Sequence, residues 1–166
     1  MNLFEMTELH GEIYSWLKML HEKGHQTCGF VIMPNHLHLL LYITKGKGTV
    51  NSILSNGKRF LAYEIVRRLE TLGRGDVLEI MSKRVMPEER SRKKKHRVFE
   101  VSSDIKKCYT ERFLLQKLRY IHRNPVRGKW QLAASAEEYA HSSARYYELN
   151  EEHPHIKITH YKDVGG

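Results

Sequence analysis

From residue 36 the chain alternates strictly. His36, His38, Leu40 and Tyr42 hold one parity, and Leu37, Leu39, Leu41 and Ile43 the other. Successive side chains of a β-strand point to opposite faces, so this segment reads as a strand with an apolar face and a second face carrying two imidazoles. Upstream, Phe30 and Ile32 alternate until Pro34-Asn35 interrupts the run. Proline cannot donate to a sheet ladder and suits an edge, a bulge or a strand start. Residues 27–43 therefore predict two strand segments divided near residue 34, and the core has to be built around them.

Helical spacing surrounds this pair. Leu9, Ile13, Trp16, Leu17 and Leu20 form one stripe that Gly24 closes. Residues 49–72 repeat the pattern with Val50, Ile53, Leu54, Phe60, Leu61, Ile65 and Leu69, weakened in the middle by Gly57. Residues 110–124 are the clearest helix, with Leu114, Leu118 and Ile121 as its apolar stripe and Pro125 as its stop. Residues 97–101 suggest a short strand, and Ser102-Ser103-Asp104 resembles a helix cap. The mixture predicts an α+β chain.

A length of 166 residues fits one domain, here 1–150, followed by an extended or loosely ordered tail, 151–166. Residues 76–97 have little periodicity and read as an inserted, mobile basic loop. No apolar run reaches the ~18 residues a membrane span needs. The start, Met1-Asn2-Leu3-Phe4-Glu5, does not read as a signal peptide, and two cysteines, Cys28 and Cys108, suit reduced thiols in a cytoplasmic protein.

The net charge of +9 favours a polyanionic partner, most simply nucleic acid. Lys83, Arg84, Arg92, Lys93, Lys94, Lys95 and Arg97 concentrate that charge. Two readings stand for them: a solvated loop, or a loop that contacts phosphates.

His36 and His38 on one strand face present two nitrogen donors of the kind that bind Mn²⁺ or Zn²⁺. Exposed polar residues on a half-buried strand would look the same. Tyr120 and Asn124 are four residues apart on a helix and lean over one patch. Asn124 offers a carbonyl oxygen as a third ligand. A tyrosine with a pKa of ~10 is a weak nucleophile unless a cation assists attack on a phosphate. Arg123 and Arg127 lie nearby as phosphate contacts. Taken singly, Tyr120 reads as a packing aromatic and Asn124 as a helix end before proline. A hydrolase that uses metal-activated water would need the histidines without Tyr120.

The two segments together resemble the single-tyrosine transposases of the HUH superfamily, close to the REP-associated tyrosine transposases. The resemblance rests on His36-Leu37-His38 with its lead-in Val31-Ile32-Met33-Pro34-Asn35, and on Tyr120-Ile121-His122-Arg123-Asn124-Pro125-Val126. It extends to Leu118, Gly128, Tyr139 and Ser142-Ser143-Ala144, and covers residues 3–147. It implies that His36, His38 and Asn124 bind Mg²⁺ or Mn²⁺, and that Tyr120 attacks single-stranded, often hairpin-bearing DNA to form a 5′-phosphotyrosine link. It also implies a nucleoid-associated bacterial protein with a ferredoxin-like antiparallel sheet and helices packed on one face. Family members carry a strand before the first helix, and almost nothing precedes it here. The expectation is a missing first strand and an open sheet edge, which a second copy could fill as a homodimer, or which would mark a hairpin-DNA-binding copy with weakened catalysis.

Overall fold

The computed structural model describes residues 1–165. In chain order the elements are α1 (Leu3–Met6), α2 (His10–Glu22), β1 (Gln26–Ile32), β2 (Leu37–Tyr42), α3 (Val50–Thr71), α4 (Gly75–Lys83), α5 (Pro87–Ser91), α6 (Glu111–Arg123) and α7 (Ala144–Leu149). β1 and β2 pair antiparallel, with a bulge between Thr27 and Gly29. The architecture is α+β, consistent with a ferredoxin-like fold lacking a strand. No helix among the described residues is long and apolar enough to cross a membrane.

The parity of the two strands sorts the packing. Phe30, Ile32, Leu37, Leu39 and Leu41 join the larger core with α2, α3 and α4. Val31, Met33 and Leu40 face the other way and meet Ile121 of α6. Helices therefore cover both faces, where the resemblance implied one. The reason lies in β1, which reads as a run buried on both sides from Thr27 to Ile32.

A glycine lets α6 approach its face. A Cβ at Gly29 would stand 2.5 Å from Leu118 Cδ1. A second close approach occurs at Gly57, where a Cβ would lie 2.5 Å from Trp16 Cε2 and Cζ2. Gly57 is thus a packing site for the indole as well as a weak point of α3. Alanine there gains about 1 kcal/mol of helix propensity. Forcing a rigid ring aside costs about 1–3 kcal/mol. Gly57→Ala should therefore lower the melting temperature; an equal or higher one would contradict this packing.

The free edge of β1 is occupied by the chain itself. Ser143 N donates to Phe30 O, Ile32 N donates to His141 O, and Thr159 N donates to Thr27 O. The Tyr139 and Tyr147 hydroxyls donate to Ile32 O and Cys28 O at 2.7 and 2.8 Å. No strand precedes β1 among the described residues. The short helix α1 stands there instead, and its Phe4 and Glu5 amides donate to Pro34 O. The expected open edge is therefore filled in cis. Ile156 and Ile158 are buried in the larger core, so the tail is irregular but packed.

Three further expectations change. Residues 76–97 are helical over α4 and α5, not a loop. Val77, Met81 and Val85, four residues apart, are buried and pin the segment down. That short period is easily hidden by the intervening charges. Residues 97–101 form no strand, although Val98 and Phe99 pack against the larger core. No helix follows Ser102-Ser103-Asp104 until α6, which Thr110 caps through its side chain.

A histidine cluster holds both the segment around His141 and the tail, through His153 and His155 on Tyr14, against α2. His141 stacks on His10 with ring centroids 3.7 Å apart, and its Nδ1 lies 2.9 Å from the Tyr14 hydroxyl. Burial, together with His10, His153 and His155, lowers His141 from 6.5 to about 4. Burial also lowers His10 and His153. Because the folded pKa lies below the unfolded one, this stability is present above 6.5 and is lost as pH falls toward 4. His141 is only half-buried, so its share is on the order of 1–2 kcal/mol after solvent screening. Thermal melts should fall between pH 7 and 4.5, and His141→Gln should flatten the profile. A wild-type melting temperature independent of pH across that range would contradict it.

Candidate active site around Tyr120

His36 immediately precedes β2 and His38 lies within it, on the face that α6 covers. Their Nε2 atoms lie 3.2 Å apart. His36 Nδ1 lies 2.6 Å from Asn35 Oδ1. An oxygen partner there makes Nδ1 the donor, so Nε2 keeps its lone pair. Burial holds His36 down to about 4, aided by His38 and Lys129. Burial also lowers His38, against the opposing pull of the Asp104 carboxylate. Both rings are therefore neutral at pH 7, which is the metal-binding form of imidazole.

The pair fits a divalent cation on geometry. Two nitrogens each ~2.1 Å from one ion, at angles between octahedral and tetrahedral, stand roughly 3.0–3.4 Å apart. Among the described residues, no group of three or more His, Cys, Asp or Glu side chains is arranged to hold a metal. A cation on His36 and His38 would complete its shell with amide, water or phosphate oxygens.

α6 brings Tyr120 to the same place. Its ring stands edge-on to His38 with centroids 5.3 Å apart, and it is 53% exposed. Nucleophile candidate and histidines therefore belong to one chain. Asn124 directly follows α6 as its C-cap and opens a 3-10 turn that runs to Val126. Its Nδ2 donates to Tyr120 O at 3.1 Å, so its amide is tied to the helix and not to the histidines. Among the described residues nothing donates to its Oδ1. Trp130 stands beyond His36, with ring centroids 6.4 Å apart, and Lys129 lies over the indole.

A buried lock positions the helix. His122 Nε2 is 2.8 Å from Ser143 Oγ, and Phe30 N donates to the same oxygen at 2.9 Å. α6 is thereby tied to β1 through the capping segment. The sequence shows His122 only as part of the tyrosine segment; its partner is twenty-one residues away.

The expected DNA contacts divide. Arg123 and Arg127 line an open groove of about 480 Å³ along α6, whose wall includes Tyr120. The 83–97 cluster follows α4, which packs on α3 in the core across the sheet. There Lys83 pairs with Glu79 and Lys94 with Glu89. Arg97 donates to Arg84 O and stands near Glu100. Arg92, Lys93 and Lys95 remain exposed. Asn35, which orients His36, was visible only as the residue beside it. Comparison with protein-family models, curated proteins and solved structures found no match to this chain.

Proposed function

We propose that this chain is a metal-dependent endonuclease and strand transferase for single-stranded, hairpin-bearing DNA, a transposase of the REP-associated tyrosine type. The observation that carries the reading is the convergence of Tyr120, His36 and His38 on one side of the sheet in one chain. A basic groove with the tyrosine in its wall supports it. The protein would act on DNA in the bacterial cytoplasm as a single chain, since the capped β1 edge removes the need for a strand from a second copy.

His36 and His38 would hold Mg²⁺ or Mn²⁺, with Asn124 as a third donor if its Oδ1 turns inward. The ion would supply charge neutralisation on the phosphate. The Tyr120 oxygen attacks phosphorus as the bond to the 3′ oxygen breaks. The phenolic proton is released, the 3′ oxygen gains one, and the strand end stays on Tyr120 through its 5′ phosphate. Attack by a 3′ hydroxyl on this ester reverses the step and joins strands. His122 holds α6 in position without touching the reacting atoms.

A second reading, a hairpin-binding protein with weakened catalysis, is favoured by one observation: the Asn124 amide is bonded to its own helix. The experiment that separates the two is incubation with single-stranded hairpin DNA and Mn²⁺. The first reading expects a covalent protein–DNA adduct on denaturing gels. The second expects a complex that denaturant dissolves completely.

A further inference from the structure

The cations of this chain differ in what they already touch. Arg67, Arg68, Arg74, Lys83, Lys94 and Arg97 are each within salt-bridge distance of a carboxylate. Arg112, Lys117, Arg119, Arg123 and Arg127 are in no ion pair among the described residues, and all five line the groove that holds Tyr120. Five unneutralised cations along one groove repel one another, so the groove favours a polyanion.

The spacing points to a linear one. Arg112, Arg119 and Arg123 recur at seven and four residues, so they stay on one side of α6, and Arg127 continues the line past its end. At ~1.5 Å per residue, Arg112 to Arg123 spans roughly 16 Å, the reach of a few nucleotides of extended backbone. The aromatic face of Tyr120, half-exposed in the same groove, suits unpaired bases, because a stacked duplex offers none.

We infer that the exposed face of α6 is a track for one nucleic-acid strand, held by Arg112, Lys117, Arg119, Arg123 and Arg127. The basic segment 83–97, on the other side of the sheet, does not hold that strand. Arg112, Lys117 and Arg119 are thereby binding residues that the charge cluster in the sequence concealed. The inference rests on the proposed function for its choice of DNA. It does not depend on the tyrosine chemistry, because binding is read without metal.

The test is fluorescence anisotropy with a labelled single-stranded oligonucleotide and a blunt duplex of the same sequence, in EDTA, across a salt series. Arg112→Gln with Arg119→Gln should weaken single-strand binding at least tenfold. It should also reduce the salt slope by about 1.4, from ~0.7 per phosphate contact. Lys93→Gln with Lys95→Gln should stay within about twofold of wild type, and the duplex should bind more weakly than the single strand. Equal losses in the two double variants, a loss confined to the 93/95 pair, or tighter duplex binding would overturn the assignment. Thermal melts of the 112/119 variant guard against misfolding; a folded variant with wild-type affinity would also overturn it. If the tyrosine reading fails, adducts are absent while these binding results stand. If the track fails, adduct formation survives in the 112/119 variant.

Discussion

Tyr120→Phe should form no covalent adduct with hairpin DNA and should cleave at least 10³-fold more slowly than wild type. The substitution removes one oxygen and leaves the ring against His38, so folding and packing are preserved. The expected loss is large because the phenolic oxygen is the atom that makes the bond to phosphorus, and among the described residues no other hydroxyl side chain lines the groove. DNA affinity should change less than about threefold, since charge in the groove carries binding. Gel analysis of adduct and product, with affinity measured in parallel, checks both halves. Cleavage at the wild-type rate would mean that water, not tyrosine, is the nucleophile.

His36→Ala should abolish metal-dependent cleavage and keep most DNA affinity. Half of the 3.2 Å nitrogen pair disappears, and His38 alone is a poor chelator. Losing the ion removes several kcal/mol of charge stabilisation, roughly 10²–10³-fold in rate. Mn²⁺ binding followed by electron paramagnetic resonance should weaken together with activity. Asn35→Ala should produce a milder version, because it frees the His36 ring without removing it. Unchanged Mn²⁺ affinity in His36→Ala would exclude the pair as its site.

The alternation from His36 was enough to foresee that both imidazoles share a face, because period 2 is a local property of a strand. The helix carrying Tyr120 was equally legible from Leu114, Leu118, Ile121 and the flanking Thr110 and Pro125. What brings the two together was not legible. Gly29, the His122–Ser143 lock and the capped edge of β1 all join residues far apart in the chain, and no local pattern encodes them. The surroundings of the charge cluster at 83–97 were hidden for a related reason. Counting cations along the chain ignores which of them already face a carboxylate, and Val77, Met81 and Val85 drew that segment into the core.

The most direct test of a tyrosine nucleophile beside a histidine pair is to trap the protein on hairpin DNA with Mn²⁺, digest it and locate the modified peptide by mass spectrometry. The expected result is a nucleotide mass on the peptide containing Tyr120, absent when His36 is alanine. A modification on another residue, or cleaved DNA with no modified peptide, would contradict it.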